Sequence, residues 1–176
     1  MRMFAALELP DHFADDASAL ARRLEVVVEG RFVPREARHL TLAFLGDVPE
    51  ADALVAADAL EAACAGVPRI PLRAAGLGTF GRKDDATLWL GIARSPELER
   101  LAARLREELA TRELSFDGKP FKPHVTLARR ARIPRGDLPP LPFPLADQAE
   151  TATLFKSTLR RDGAVYEPLR SVRLAG

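Results

Sequence analysis

The chain alternates between segments with the hydrophobic pattern of strands and segments with the pattern of helices. Apolar residues at helical spacing predict helices over residues 11–30, 50–65 and 96–110. Two extended segments, TATLFKSTLR and AVYEPLRSVRL, flank Asp162-Gly163 and predict a closing hairpin. Residues 133–150 are rich in proline and are assigned no element. Alternating or short apolar runs predict the remaining strands, at 2–9, 39–46, 69–76, 87–93 and 124–129.

Residue types at the ends of two predicted helices indicate how these helices begin and end. Asp11 is expected to cap the first helix, and Gly30 is expected to end it. Ser95 is expected to cap the third helix, with Pro96 at the favoured first helical position.

The order of elements contains an internal repeat. A strand near Met3 leads through a helix to His39, 36 residues later. A strand near Leu88 leads through a helix to His124, again 36 residues later. Both of the strands that follow these helices begin with the sequence His-x-Thr-Leu-Ala, as HLTLA and HVTLA. The repeat predicts two related lobes within one domain of residues 1–176, each supplying one His-x-Thr strand.

Alternate side chains of a strand share a face, so each motif is expected to present its histidine and threonine together. If the two polar faces meet, they form a cleft with two imidazoles and two hydroxyls. Alternation assigns to the cleft His39, Thr41, Ala43, His124, Thr126 and Ala128, and to the apolar faces Leu40, Leu42, Phe44, Val125 and Leu127.

Two imidazoles beside one reactive centre suit acid–base catalysis of an in-line displacement. A neutral histidine takes a proton from the attacking oxygen, and a protonated one gives a proton to the leaving oxygen. An unperturbed pKa near 6.5 allows both forms to exist around neutral pH. Thr41 and Thr126 could donate to phosphate oxygens, and Arg129 or Arg130 could supply a charged guanidinium to the same oxygens.

The amino-acid composition excludes several classes of protein. Of the 176 residues, 47% are hydrophobic and 29% charged, and the formal net charge of +1 argues against a general polyanion binder. The single cysteine, Cys64, excludes an intramolecular disulfide and a cysteine-based metal cage. No run of about 18 apolar residues is present. A monomeric, cytoplasmic protein without a membrane partner, a metal or a cofactor is expected.

Other motifs have competing interpretations. Gly76, Gly78 and Gly81 match G-x-G-x-x-G, but a strand follows them where a dinucleotide site needs a helix, so a loop bordering the cleft is expected. A metal site on the two histidines would need further ligands, and two buried core histidines would not explain the repeat.

The remaining aromatic and basic residues also allow more than one interpretation. Trp89 and Tyr166 are expected in the core. The arginines at 129, 130, 132 and 135 form either a solvated face or a track for a nucleic-acid backbone.

These motifs resemble those of the two-histidine phosphoesterase superfamily, and most of all its bacterial and archaeal RNA 2′,3′-cyclic phosphodiesterases, first described as 2′-5′ RNA ligases. The resemblance covers nearly the whole chain. It rests on RMFAALELP, HLTLAFLG, LGTFG with LWLGI, FKPHVTLAR, and LFKSTL with YEPL.

The resemblance implies an α+β fold with two pseudo-symmetric lobes, antiparallel sheets and outer helices around a central cleft. It implies metal-independent opening of an RNA 2′,3′-cyclic phosphate to a 2′-phosphate, with minor reversible 2′-5′ ligation. Its motif residues map to His39, Thr41, His124 and Thr126, and an extended His-x-Thr-x-x-Arg pattern maps to Arg129. Strand alternation would turn Arg129 away from His124, so the strand must twist, bulge or end before it. Phe44 and Arg130 remain candidates for substrate contact, although Phe44 is expected in the core.

Two alternatives stay open. The same fold could act on small cyclic nucleotides or 2′-5′ oligoadenylates. A protein of another class could use the cleft only to bind RNA ends without turnover.

Overall fold

A computed structural model describes residues 1–175 of the chain and shows the predicted repeat as two β–α–β units. The first unit is β1 (Arg2–Glu8), α1 (Asp11–Glu25), β2 (Glu29–Phe32) and β3 (His39–Asp47). Between the units lie α2 (Ala53–Cys64), β4 (Ile70–Leu72) and β5 (Ala74–Arg82). The second unit is β6 (Asp85–Ile92), α3 (Pro96–Thr111) and β7 (His124–Arg132). The chain closes with β8 (Asp147–Ala149), β9 (Thr151–Arg160) and β10 (Gly163–Arg173), and short 3₁₀ turns at Arg35–Ala37 and Glu50–Asp52 precede β3 and α2.

The strands of the two lobes form one eight-stranded antiparallel sheet, whose two halves meet at one residue pair, while β4 and β8 pair separately. One lobe carries the strands in the order β10, β9, β1, β3, and the other carries β7, β6, β5, with β2 also paired to β7. The central strands β3 and β7 are joined through the pairing of Leu40 with Val125. The predicted α+β fold with two pseudo-symmetric lobes is confirmed, and one sheet runs through both lobes across this joint.

The helices bury their apolar faces on a core shared by both lobes. In α1, Phe13, Leu20 and Leu24 are fully buried, and their spacing puts them on one helix face. In α3, Leu98 and Leu105 do the same. These side chains belong to one cluster with the apolar residues behind the motif strands, among them Leu40, Leu42, Val125 and Leu127. The core therefore holds the motif strands in place from behind.

The first helix differs from the prediction at both ends. Asp11 lies inside the helix, and the capping position is Pro10, which offers no side-chain hydrogen bond. The helix ends at Glu25 and not at Gly30, because three valines, which are β-branched and favour strands, follow at 26–28. Gly30 instead lies in β2. A Cβ there would come within 2.9 Å of the Ala131 Cα, so glycine lets β2 approach β7 closely.

Two predicted boundary features are confirmed. The Ser95 hydroxyl accepts a hydrogen bond from the Leu98 amide at 3.2 Å, with proline in the first turn of α3. The strands β9 and β10 form the expected hairpin, and Gly163 has φ 131°, a conformation that favours glycine. In the described part of the chain, no helix is both long and apolar enough to cross a membrane.

Candidate active site

Both His-x-Thr strands carry a β-bulge at the same place in the motif. On β3, Thr41 and Ala43 pair with consecutive residues of β1, so Leu42 is the extra residue. On β7, Thr126 and Ala128 pair with consecutive residues of β6, so Leu127 is the extra residue. Each bulge interrupts the alternation of side chains between the two faces of its strand.

The bulges change which residues reach the cleft. Ala43 and Ala128 are buried behind the strands, contrary to the prediction that they share the polar face. Phe44, predicted on the apolar face, instead lines cleft cavities together with Thr41. Arg129 lines one of these cavities with His39 and Thr41. The bulge thus resolves the conflict between strand alternation and the position that the resemblance implies for Arg129.

Arg130 lies differently from its neighbour. Its φ of 53° places it in the left-handed region, which is uncommon for residues other than glycine. Its guanidinium lies 3.4 Å from a carboxylate oxygen of Asp85, and the side chain is well exposed. Arg129 lines one of the cavities beside His39, whereas Arg130 lines none of the cavities beside the two histidines. A contact between Arg130 and substrate remains a prediction.

The two histidines are held by equivalent hydrogen bonds. The Nδ1 atom of His39 lies 2.9 Å from the carbonyl oxygen of Ala37, and that of His124 lies 2.6 Å from the carbonyl oxygen of Lys122. A carbonyl oxygen can only accept, so Nδ1 carries a proton and donates in both cases. The remaining ring nitrogen, Nε2, is free to take or give a proton in each imidazole.

The strand pairing that joins the two lobes brings the two His-x-Thr motifs next to each other. Because β3 and β7 run antiparallel through Leu40 and Val125, continuing that register by one residue places Thr41 opposite His124. The same step in the other direction places His39 opposite Thr126. In agreement, Thr41 and His124 line one cavity. Thr41 also lines the cavity of His39, and the charge of His124 acts on His39, so the two imidazoles lie close enough to act on one phosphate group.

Aromatic side chains pack against both imidazoles. The Phe4 ring stacks on His39 with centroids 4.6 Å apart, and the Tyr166 ring meets the same imidazole edge-on at 5.3 Å. Phe80 and Trp89 lie 5.2 and 5.8 Å from the ring of His124. Trp89 and Tyr166 were expected in the core, but both are only half-buried, and each packs against one of the histidines. Phe4 and Phe80 were missed, although Phe4 precedes His39 by the same 35 residues as Trp89 precedes His124.

The G-x-G-x-x-G segment lies in strand β5, not in the expected loop. It serves the packing of Trp89. A Cβ on Gly78 would lie 2.1 Å from the indole, so only glycine leaves room for this ring. The Lys122 ammonium lies 5.0 Å from the centre of the indole and 5.5 Å from that of Phe80, completing the cluster around His124.

The surroundings favour the neutral form of both imidazoles. Burial lowers the pKa of His39 from 6.5 to about 4; the hydrogen bond to Ala37 opposes this, and the positive charges of Arg129 and His124 add to it. Burial also lowers the pKa of His124; the hydrogen bond to the carbonyl of Lys122 opposes this, and the positive charges of Lys122 and Arg129 add to the lowering. A bound phosphate anion would counteract these shifts, because it favours the charged imidazolium.

Within residues 1–175, no group of three or more histidine, cysteine, aspartate or glutamate side chains is arranged to hold a metal ion. Cys64 is buried, and burial raises the pKa of its thiol to about 11. The chemistry of the cleft therefore centres on imidazole, hydroxyl and guanidinium groups.

Two pseudo-symmetric lobes that present paired His-x-Thr strands to one cleft define a two-histidine phosphoesterase architecture. Residues 9–137 match the model of the 2′-5′ RNA ligase superfamily. The chain belongs to this superfamily.

Individual relatives agree with the family match. The RNA 2′,3′-cyclic phosphodiesterase of Thermus thermophilus is 35% identical, over 100% of this chain and 91% of the relative. That of Thermotoga maritima is 30% identical, over 100% of this chain and 97% of the relative. The crystal structure of Escherichia coli LigT complexed with 3′-AMP superimposes with a TM-score of 0.81 at 29% identity, covering 99% of this chain and 98% of LigT.

Proposed function

We propose that this protein hydrolyses the 2′,3′-cyclic phosphate at RNA ends to a 2′-phosphomonoester. One observation supports this most strongly: two equivalent bulged strands present His39 and His124 to one cleft, each with Nδ1 donating to a backbone carbonyl and Nε2 free. The proposal agrees with the names of the curated relatives. All the residues involved come from one chain, so the reaction needs no second subunit.

The reaction is an in-line displacement at phosphorus. One neutral imidazole removes a proton from water through Nε2 as the water oxygen bonds to phosphorus. The bond between phosphorus and the 3′-oxygen breaks, and the other imidazole, protonated at Nε2, gives its proton to that oxygen. The products are a 2′-phosphate and a 3′-hydroxyl, and the imidazoles have exchanged protonation states. Each proton transfer contributes about 10²–10⁴-fold to the rate.

Three side chains are proposed to stabilise the charge on the phosphoryl oxygens. Thr41 and Thr126 donate hydroxyl hydrogen bonds from the strand positions beside the histidines. Arg129 supplies a guanidinium, which matches the geometry of phosphate oxygens and remains charged throughout. Charge build-up in the transition state makes these donors more valuable there than in the ground state.

An aromatic surface suits the nucleoside part of the substrate. Phe44 lines the cleft beside Thr41, and Phe80 lies in the same cavity with 40% of its surface exposed. Exposed rings of this kind stack on nucleobases without strong preference for sequence. We propose that Phe44 contacts the terminal nucleoside.

The decisive experiment is product analysis on an oligonucleotide ending in a 2′,3′-cyclic phosphate, with EDTA present. We expect a 2′-phosphate as product, full activity in EDTA, and loss of turnover in both His39→Ala and His124→Ala. A 3′-phosphate product would contradict the assigned leaving group. Activity lost in EDTA and restored by a divalent metal would contradict the acid–base scheme, and RNA binding without any turnover would favour a capture module.

A 5′-hydroxyl of RNA could replace water as the nucleophile, with the 3′-oxygen again leaving, and give a 2′-5′ linkage. Water at its bulk concentration makes hydrolysis dominant, so ligation is proposed as a minor activity.

A second experiment tests the substrate class. It compares the rates on a mononucleotide, a 2′-5′ oligoadenylate and a cyclic-ended oligonucleotide at equal concentration. Strong preference for either of the first two would contradict the assignment to RNA ends.

A further inference from the structure

A groove leaves the catalytic cleft on the side of His39. One wall is the segment of residues 31–37, which runs from the end of β2 through the 3₁₀ turn, and the other is the tip of the β9–β10 hairpin at residues 159–166. We call this the hairpin groove. Arg129, Leu159, Ala164 and Tyr166 line both the hairpin groove and the cavity that holds His39 and Thr41, so the two are continuous.

The groove carries positive charge that has no partner. Arg31, Arg129 and Arg160 line it, and in the described part of the chain none of the three forms a salt bridge. Their neighbours are paired: Arg130 with Asp85 and Arg132 with Glu29. Two carboxylates, Glu36 and Asp162, also line the groove, which leaves a positive excess.

Two of these arginines are direct cross-strand partners. Arg31 on β2 lies opposite Arg129 on β7 in the antiparallel register, so their side chains leave the sheet on the same face. Like charges directly opposite each other destabilise paired strands unless a counter-charge lies between them. A second anion next to the reacting phosphate would supply that counter-charge. This repulsive pair is an observation independent of the shape of the groove.

Apolar surface lies between the charges. Leu159 and Val165 are 71% and 46% exposed at the hairpin tip, and Phe32 and Val33 line the opposite wall. A groove lined by both guanidinium groups and apolar side chains suits a single-stranded polynucleotide, which offers both phosphates and base faces. A small cyclic nucleotide would end inside the cleft and leave this surface unused.

We infer that the hairpin groove binds the RNA strand 5′ of the terminal nucleotide, with Arg31 and Arg160 holding the phosphodiester next to the cyclic end. This rests on the proposed function and adds to it the direction in which the RNA leaves the cleft. The other exit, past His124, is lined by Phe80, Lys119 and Lys122, and serves as the alternative in the test.

The test compares kcat/KM for three substrates: adenosine 2′,3′-cyclic phosphate, the dinucleotide ApA with the same cyclic end, and that dinucleotide with a neutral methylphosphonate as its internal linkage. We expect the charged dinucleotide to exceed the other two about tenfold, because it adds a charge-assisted hydrogen bond. The measured quantity is the ratio of kcat/KM for the charged dinucleotide to kcat/KM for each of the other two substrates. In Arg31→Ala and in Arg160→Ala we expect this ratio to fall towards one. The slope of log kcat/KM against log salt concentration for the charged dinucleotide becomes shallower by about 0.7 in a variant without one of these guanidinium–phosphate pairs.

Arg161→Ala is the matched control, since Arg161 adjoins Arg160 in the same hairpin but does not line the groove; the ratio is expected to stay at its wild-type value. Retention of the ratio in both groove variants would overturn the inference. So would an equal rate on the neutral dinucleotide, or loss of the ratio in Lys119→Ala in place of the groove variants. If wild type turned over none of the substrates, the proposed function would fail, and this inference with it.

Discussion

Phe4 stacks on the imidazole of His39, with 29° between the ring planes. The phenyl ring is itself buried, at 4% exposure, and it excludes water from that side of the imidazole. This contact gives a physical cause for the burial that lowers the pKa of His39.

Phe4→Leu is therefore expected to raise the pKa of His39 from about 4 towards 6.5, because a smaller side chain admits water to the ring. NMR titration of the His39 ring proton measures the change. Phe116→Leu, which removes a phenyl ring elsewhere, should leave this titration unaltered. An unchanged pKa in Phe4→Leu would show that other groups account for the burial.

Arg129→Ala is expected to lower kcat/KM about 100-fold, as typically follows removal of one donor to a charged transition state. The positive charge of Arg129 lowers the pKa of both histidines, so its removal should also shift the pH–rate profile to higher pH. Steady-state kinetics from pH 4 to 9 measures both effects. Arg132→Ala, whose guanidinium pairs with Glu29, is the control and should change neither. A rate loss without a shift in the profile would argue against close electrostatic coupling.

The pH dependence of stability should reveal the neutral state of His39. Its pKa is about 4 in the fold and near 6.5 in the unfolded chain, so the unfolded chain binds more protons between these values. The free energy of unfolding should then rise with pH from 4 to 6.5 and gain nothing further from this residue above that. The contribution is about 3 kcal/mol. Urea denaturation of wild type and His39→Gln at several pH values measures it, and equal slopes for the two proteins would contradict the assignment.

Gly78→Ala is expected to displace the indole of Trp89, because the added Cβ would lie 2.1 Å from a ring atom. Overpacking of this kind costs about 1–3 kcal/mol of stability. Trp89 is the single tryptophan, so its fluorescence reports the displacement directly. The change should be accompanied by lower kcat, since the indole packs on His124. Gly118→Ala, where a Cβ would meet nothing within 4 Å, is the matched control. Wild-type fluorescence in Gly78→Ala would contradict the packing role.

The repeat and both histidines could be predicted from sequence because proton transfer at phosphate restricts the residue types that can serve. The bulges could not, because Leu42 and Leu127 lie in ordinary apolar runs that also fit regular alternation. One unseen extra residue in each strand moved Phe44 and Arg129 to the cleft and the two alanines behind it.

Other features depend on contacts between distant parts of the chain. Strand β2 was missed because Gly30 resembles a helix stop, whereas its actual role depends on the approach of Ala131 from β7. Gly78 resembles part of a nucleotide-binding motif, whereas its partner is the indole of the neighbouring strand. The hairpin groove joins residues 31–37 to residues 159–166, and no local pattern links these two segments.

The pairing of Leu40 with Val125 has a consequence for the origin of the site. Antiparallel strands that meet in this way are related by a two-fold rotation, the operation that most often relates identical subunits in a dimer. One lobe alone supplies one imidazole and one threonine, which cannot both accept and donate protons across a phosphate. Two copies of a single ancestral lobe, paired along their central strands, would assemble both motifs, and fusion of their genes would give the present chain. Phe44 and Arg129 lie at equivalent positions, five residues after the histidine of each motif, and line the same cavity.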